Sequence, residues 1–455
     1  MIYIGRQGKQ YNTIEPALGK GGEGAVYRLS GVPDYVLKVY RDEKRTETRH
    51  RKLLAMISTP LSPSAMSQVT WPVDVVYSGG SFVGYVMPMI KNHEDLNAMY
   101  SDKYQTTLSD RITIAKNLCA AINAIHNAGQ ICGDLNPKNV VVDPISARVT
   151  LVDTDSYHIS DQRTAKIYRC EVGLPEYLAP EIQNKLKREG ADLRTASFPT
   201  FTKNTDLFAL AVHVFALLMN GCHPFACAVG NKDNIGPLSN GQPSVTAPQP
   251  IDNICNRFFP FYQRKQGIVT PRYAPDFMSL PSEMRDLFVR AFMEGFDDPE
   301  RRPDTVEWYN ALSKMQQNLT VCKKDKHHMY SNHLRKCPWC ELNNTMQAFS
   351  AAVAATQNTQ RVVQNDSHLQ TNGATTISTQ QISNNTVNIP DSIWSKPWMF
   401  WLLTVVIAIG IQAFVWLQWG DQIISSLFTE SSSSSGLGIA SGISNCAAST
   451  EIGRA

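Results

Sequence analysis

Cys132-Gly133-Asp134-Leu135-Asn136-Pro137-Lys138-Asn139 is followed, fourteen residues beyond Asn139, by Asp153 in the run Leu151-Val152-Asp153-Thr154-Asp155. Phosphoryl transfer needs an acceptor for the proton of an attacking hydroxyl and hard oxygen ligands for Mg2+. Asp134 suits the first task; Asn139 and Asp153 suit the second. The runs 139–143 and 149–152 read as a short hairpin that presents these oxygens at its ends. The same spacing also arises by chance as a polar turn between strands, so the rest of the chain has to decide.

Near the start stands Leu18-Gly19-Lys20-Gly21-Gly22-Glu23-Gly24-Ala25-Val26, and then the β-rich run Val36-Leu37-Lys38-Val39-Tyr40. Without Cβ atoms, Gly19, Gly21, Gly22 and Gly24 let a hairpin backbone approach phosphates closely. Lys38, on an inward-reading strand, can then reach those phosphates as a point charge.

In this order the pieces resemble a eukaryotic-type protein kinase. The resemblance covers roughly residues 10–315. It implies an α+β, two-lobed fold with ATP between a β-rich N-lobe and a helical C-lobe. It makes Gly19 to Val26 the phosphate loop, Lys38 the phosphate-binding lysine, and Val86 to Ile90 the hinge, with Met87 and Met89 at the nucleotide. Asp134, Lys38, Asn139 and Asp153 become the catalytic set, with Mg2+ on Asn139 and Asp153. Ala179-Pro180-Glu181 matches the segment that closes the activation loop, and Arg302 its arginine partner. Asp206 matches the buried aspartate that steadies the catalytic loop. Further wording, such as Gly221-Cys222-His223-Pro224-Phe225, resembles a divergent bacterial Ser/Thr group that carries a C-terminal zinc-binding or DNA-repair-like module.

The departures are informative. Cys132-Gly133 replaces the usual His-Arg, so an arginine that would pair with a phosphate on the activation segment is missing. Asn136 replaces a lysine, and Lys138 is a candidate substitute. Asp-Thr-Asp replaces Asp-Phe-Gly. The helix-C glutamate expected to pair with Lys38 is best placed at Glu47, with Glu43 as second choice. Gly-Asp-Leu-x-Pro-x-Asn also resembles small-molecule kinases of the aminoglycoside and choline type. Those generally lack the Ala-Pro-Glu segment and its arginine, which favours a protein substrate here. A nucleotide-binding pseudokinase scaffold is the third reading, and the presence of all four catalytic residues argues against it.

The chain has 455 residues, a net charge of +3 and ten cysteines. That charge is too small to indicate a nucleic-acid partner. The first residues, Met1 to Arg6, show no apolar signal segment. Six cysteines are scattered singly through the kinase-like region, as in a reducing compartment. Cys322, Cys337 and Cys340 differ: Cys337-Pro338-Trp339-Cys340 lets two thiolates converge, and one more cysteine and a histidine complete a Cys3His set suited to structural Zn2+. The resemblance to the bacterial modules favours His328, through its spacing to Tyr330; His327 and His333 stay open.

The expected organisation is a kinase-like domain at 10–318 (N-lobe 10–88, C-lobe 91–318) and a zinc module at 319–342. A disordered Asn/Gln/Ser/Thr-rich linker at 343–392 follows, since it holds few large apolar residues. Residues 397–419 carry no charge. As a helix they would extend about 34 Å, enough for a hydrocarbon core of ~30 Å. Tryptophans flank both ends, at Trp394, Trp398, Trp401, Trp416 and Trp419, as at membrane interfaces. A disordered tail is expected at 425–455. The composite expectation is a single-pass kinase of the bacterial inner membrane, with its catalytic domain in the cytoplasm and ATP, Mg2+ and structural Zn2+ as cofactors.

Overall fold

Alternating inward apolar residues close six short strands on themselves at the N-terminus. In the computed structural model, which describes residues 1–101, 103–230 and 247–351, these are β1 (Ile2–Gly5), β2 (Gln10–Lys20), β3 (Gly24–Leu29), β4 (Tyr35–Tyr40), β5 (Asp74–Ser78) and β6 (Ser81–Pro88). They form an antiparallel closed barrel in the order β1-β2-β3-β4-β6-β5. The N-lobe thus begins at residue 2 and not at 10. β1 is easily missed because its isoleucines face solvent, and Tyr3 supplies the core side chain. Tyr3, Tyr11, Leu37, Val76, Val83 and Val86 fill the barrel.

Helix α1 (Glu47–Ser58) starts at Thr46, whose hydroxyl accepts from the Arg49 N–H, an N-cap. It buries Lys52, Leu53, Ala55 and Met56. A one-turn helix, α2 (Pro63–Met66), leads to the remaining barrel strands. A small sheet, β7 (Glu94–Asp95), β8 (Val140–Val142) and β9 (Val149–Leu151), opens the C-lobe. The expected hairpin is therefore present, with Val140 opposite Leu151, and it holds Asn139 and Asp153 just beyond its two ends.

The C-lobe is built on α3 (Leu108–Asn127), α4 (Pro180–Glu189), α5 (Lys203–Leu218) and α6 (Pro250–Cys255). Every α5 residue from Thr205 to Leu218 is buried, as for a helix that is apolar on all sides. Its Thr202 and Thr205 form a reciprocal capping box. Phe259, from a stretch with no legible pattern, is fully buried. It packs edge-on to Phe215 of α5 with ring centroids 5.7 Å apart. Helix α7 (Ser282–Val289) passes through a π-helical turn, Arg290–Glu294, into α8 (Gly295–Asp297), and α9 (Thr305–Gln317) packs on α3.

The π turn aims the Gly295 carbonyl at Arg302. This arginine is buried and makes two 2.7 Å bonds to the Glu181 carboxylate, with Asn204 O at 2.8 Å. Such a two-pronged match needs the planar guanidinium. Arg302→Ala leaves Glu181 without its partner and is expected to cost about 3 kcal/mol of stability, with Arg302→Lys restoring little. Urea unfolding of the two variants measures this, and a loss under about 1 kcal/mol would refute the anchoring role.

The last described segment is β14 (Leu319–Val321) paired with β15 (Met329–Ser331), followed by α10 (residues 338–351). The hairpins β10 (Ile159–Asp161) with β11 (Lys166–Tyr168) and β12 (Ala228–Val229) with β13 (Ile268–Val269) lie earlier in the chain. Helix α10 continues nine residues into the region expected to be linker. Leu342 packs against the core, and Arg272 lies over the Phe349 ring at 4.1 Å. These contacts outweigh the polar composition around them. All described residues fall in one compact unit. The rest of the expected linker, the span at 397–419 and the tail lie outside the described residues. Among the described residues no helix is long and apolar enough to cross a membrane.

Candidate active site

Between the barrel and the helical lobe lies a cleft of 640 Å³, lined by Gly19, Gly21, Gly22, Gly24, Val26, Lys38, Met87, Met89 and Asp153 among others. That volume suits a small-molecule ligand. β2 and β3 form its roof. Gly19, Gly21 and Gly22 face open space, whereas a Cβ on Gly24 would stand 2.2 Å from the Val39 carbonyl. Gly24 is therefore a packing requirement of the roof, and the other three leave room for a ligand. Gly84 plays a matching part on the other side: a Cβ there would meet the Lys38 carbonyl at 2.0 Å. It keeps β6 tight against the lysine strand.

Lys38 is buried, with its ammonium 2.9 Å from Asp153 Oδ1, 2.9 Å from both Asp155 oxygens and 3.5 Å from Glu23 Oε2. Tyr40, two residues on along the same strand face, donates to Asp155 Oδ2 at 2.5 Å, and Tyr85, directly opposite Lys38 on β6, donates to Oδ1 at 2.8 Å. Burial opposes the lysine charge, but Asp155 and then Asp153 carry its pKa above the ordinary value. Burial likewise opposes ionisation of Asp155. Lys38 and the two tyrosine hydroxyls hold that carboxyl well below the usual range nonetheless. Asp153 goes the other way: burial, joined by the Asp155 charge, raises it against the pull of Lys38. It sits in the left-handed region, φ 56°, and its side chain is 40 % exposed toward the cleft.

Helix α1 does not supply the lysine's partner. Glu47 lies in its first turn, 65 % exposed, and accepts from Arg51 at 2.7 Å; a carboxylate there also complements the helix dipole. Glu43 is exposed as well. The inward face is Arg49, Lys52, Leu53 and Met56, and Glu47 is not on it. Arg49 reaches across to Glu23 of the glycine loop at 2.7 Å and lies over the Tyr40 ring. Lys52 is buried, and burial lowers its pKa to about 8. The usual charge pattern is thus inverted: cations come from the helix, and carboxylates come from the loop and from the segment after β9.

Asp134 and Asn139 come together as expected. The Asn139 amide donates to Asp134 O at 2.9 Å and to Oδ2 at 3.2 Å. Asp134 Oδ1 is buried and has no hydrogen-bond partner. The loop itself is set by Asp206, whose two oxygens accept from the Cys132 and Gly133 N–H groups at 2.8 Å each, with His126 Nε2 at 2.9 Å. Gly133 has φ 83°, and a Cβ there would press on Cys170 at 2.9 Å. The space beside the loop is filled by Cys170 of the activation segment, so the catalytic loop touches that segment by packing. Lys138 is exposed.

A second cluster lies at the base of the C-lobe. Ligand atoms of Cys322, His328, Cys337 and Cys340 all fall within 4.8 Å of one another. Cys322 Sγ is 3.7 Å from Cys340 Sγ, and His328 Nδ1 is 3.7 Å from Cys337 Sγ and 3.4 Å from Cys340 Sγ. Metal–sulfur bonds of ~2.3 Å in a tetrahedron give edges of about 3.8 Å, so this donor set fits a zinc ion. His327 and His333 are not members of the cluster. Asp325 lies 3.5 Å from His328 Nε2, where an outer carboxylate orients a ligating imidazole.

Sequence reasoning missed Glu23, Tyr40, Tyr85 and Asp155 as members of the lysine network. The second aspartate of Asp-Thr-Asp and the tyrosine two residues after Lys38 were the available signals.

The protein kinase domain family matches residues 12–266. Protein kinase YegI of Escherichia coli K12 is 28% identical over 345 residues, covering 74% of this chain and 49% of the relative. Serine/threonine-protein kinase pkn3 of Myxococcus xanthus is 27% identical over 239 residues, 49% of this chain and 40% of the relative. PknD of Chlamydia pneumoniae, also a serine/threonine-protein kinase by name, is 25% identical over 241 residues, 46% of this chain and 24% of the relative. The chain spans about half or less of the length of these relatives. The family match takes in the glycine loop, Lys38, the Asp134–Asn139 pair and Asp153, all of which line or adjoin one cleft, and extends over more than half of the sequence: the chain belongs to the protein kinase family.

Proposed function

We propose that this chain is an ATP- and Mg2+-dependent protein kinase acting on Ser or Thr hydroxyls. The observation that carries the reading is the unpartnered Asp134 oxygen, held by Asn139 beside a cleft that also presents Lys38 and Asp153. In this reading Lys38 orients the α and β phosphates, and Asn139 and Asp153 hold Mg2+, which neutralises charge on the transferring group. Asp134 orients the substrate hydroxyl and takes its proton. Catalysis comes from placement and fixed charge. A protein substrate is favoured over a small molecule because the Ala179–Glu181 segment is built in, through Arg302 and the Gln183 amide, which donates to Leu178 O at 2.7 Å. We also assign a structural zinc ion to Cys322, His328, Cys337 and Cys340. Closed coordination leaves no position for a hydrolytic water.

The test is transfer of label from γ-labelled ATP with Mg2+ to the chain itself and to generic protein substrates, followed by phosphoamino-acid analysis. Phosphoserine or phosphothreonine is the expected product. Label on metabolites alone would move the assignment to a small-molecule kinase. ATP binding with no transfer to any acceptor would make it a scaffold.

Membrane attachment through 397–419 belongs to the same proposal and rests on that charge-free run with its flanking tryptophans. The full chain should stay with membranes through alkaline carbonate extraction; release into the supernatant would refute it.

A further inference from the structure

In the lysine network the three carboxylates around Lys38 are not equivalent. Asp153 faces the cleft and is the carboxylate that the proposed function gives to Mg2+. A bound cation would draw it away from the ammonium. Glu23 belongs to the glycine loop, is 38 % exposed, and already accepts from Arg49. Asp155 is 1 % exposed and does not line the cleft. Both its oxygens lie 2.9 Å from Lys38 Nζ, and each also accepts a tyrosine hydroxyl. A carboxylate with four such contacts has its orientation fixed: it has an oxygen within 4.8 Å of oxygens of Glu23 and Asp153, but both its oxygens are already taken by Lys38 and the two hydroxyls. Helix α1 turns only cations, Arg49 and Lys52, toward this region, so it has no carboxylate to offer.

We propose that Asp155 is the positioning residue that holds Lys38 for the nucleotide phosphates, so that the lysine is set by the activation segment and not by helix α1. This rests on the kinase reading above. It gives the inverted charges a purpose. Lys38 needs one carboxylate that stays with it when Asp153 turns to Mg2+, and Asp155 provides it from the turn after β9, fixed by Tyr40 and Tyr85 of the barrel. No atom of α1 takes part in this pair, although α1 packs on the turn that carries Asp155. Rearrangement of the segment after Asp153 breaks it. The Asp155 backbone belongs to the 3-10 turn Thr154–Ser156, itself fastened where Thr154 Oγ1 donates to Thr70 O at 2.9 Å. Activity is therefore tied to the integrity of that turn.

The test uses the full chain and initial rates at varied ATP. Asp155→Asn should lower kcat about 100-fold, Asp155→Glu should recover part of it, and Glu47→Ala should stay within about twofold of wild type. Because Asp155 acts through Lys38, the double variant Asp155→Asn/Lys38→Met should be no slower than Lys38→Met alone. A purely architectural role would add the two losses. If Asp155→Asn does not fold, Tyr85→Phe keeps the carboxylate, removes one of its fixing bonds, and should still cut kcat by about 3- to 10-fold. Wild-type rates in Asp155→Asn or Tyr85→Phe, additive losses in the double variant, or a larger loss in Glu47→Ala would each overturn the proposal. An inactive wild-type chain would overturn the kinase reading and this proposal with it.

Discussion

Asp134→Asn is expected to lower kcat for phosphate transfer by about 10³-fold while leaving the KM for ATP within about twofold. Asp134 is absent from the cleft lining, so the nucleotide does not depend on it. One of its oxygens is taken by the Asn139 amide; the other is buried and unpartnered. Leaving a buried acceptor unsatisfied costs about 1–3 kcal/mol. A substrate hydroxyl would supply the missing donor. Asparagine has the same shape but gives up the negative charge and half its acceptor capacity, so it can neither take the proton nor orient the hydroxyl well. Folding should survive, because the loop is fixed by Asp206 through the Cys132 and Gly133 amides and not by Asp134. Asp153→Asn provides the contrast: it should raise the Mg2+ requirement and the KM for ATP as well as lower kcat. Steady-state kinetics at varied ATP and Mg2+ separates the two. An Asp134→Asn variant within tenfold of wild-type kcat would remove Asp134 from the chemistry and favour a scaffold.

Much of this site was legible because phosphoryl transfer constrains residue type and order along the chain. The glycines, Lys38, Asp134, Asn139, Asp153, Asp206, and the Glu181–Arg302 pair are each met where the family order places them. The Cys322, His328, Cys337, Cys340 grouping was legible for a similar reason, since a Cys-x-x-Cys turn brings two sulfurs together and the structure gathers all four donors within 4.8 Å. Contacts made across the fold by residues of ordinary type escaped. Tyr40 and Tyr85 look like core aromatics of a barrel, and only the closed sheet shows both hydroxyls meeting one carboxylate. Glu47 was misplaced because it lies in the exposed first turn of α1, off the buried stripe Lys52, Leu53 and Met56. A buried lysine on that stripe is not something periodicity anticipates, because its burial is decided by Asp155 and the activation segment. β1 was lost because its isoleucines face solvent and its place is set by pairing with β2 and β5; the end of α10 was lost because its sequence is polar-rich and is met by Arg272 over the Phe349 ring.

Removing the proposed zinc should destabilise the whole C-lobe and not just a terminal appendage. Cys322, Cys337 and Trp339 belong to the same buried cluster as the cores of α3, α5 and α9. The Trp339 indole donates to Met329 O at 2.6 Å, and the Arg111 guanidinium of α3 stacks on its ring at 5.0 Å. Four donors drawn this close are poorly compatible without an ion. Burial pushes the Cys337 thiol up to about 12, so in the absence of metal that thiol stays neutral. A structural zinc ion in small domains contributes on the order of 10 kcal/mol of apparent folding free energy. Most of this chain's core is independent of the ion, so the expected cost of Cys337→Ser is smaller, about 3 kcal/mol. Purified chain should carry close to one zinc per molecule by atomic absorption. Chelation should lower the melting temperature by several degrees and loosen the Trp339 environment, reported by near-ultraviolet circular dichroism. His327→Ala should do neither, since that ring is not in the donor set. Metal-free protein that melts with the native chain would show that the cysteines pack without an ion, and a Cys337→Ser variant that retains full zinc would remove Cys337 from the donor set. The kinase cleft and its Asp134 chemistry would stand unaffected by that result, because no residue of the donor set lines the cleft.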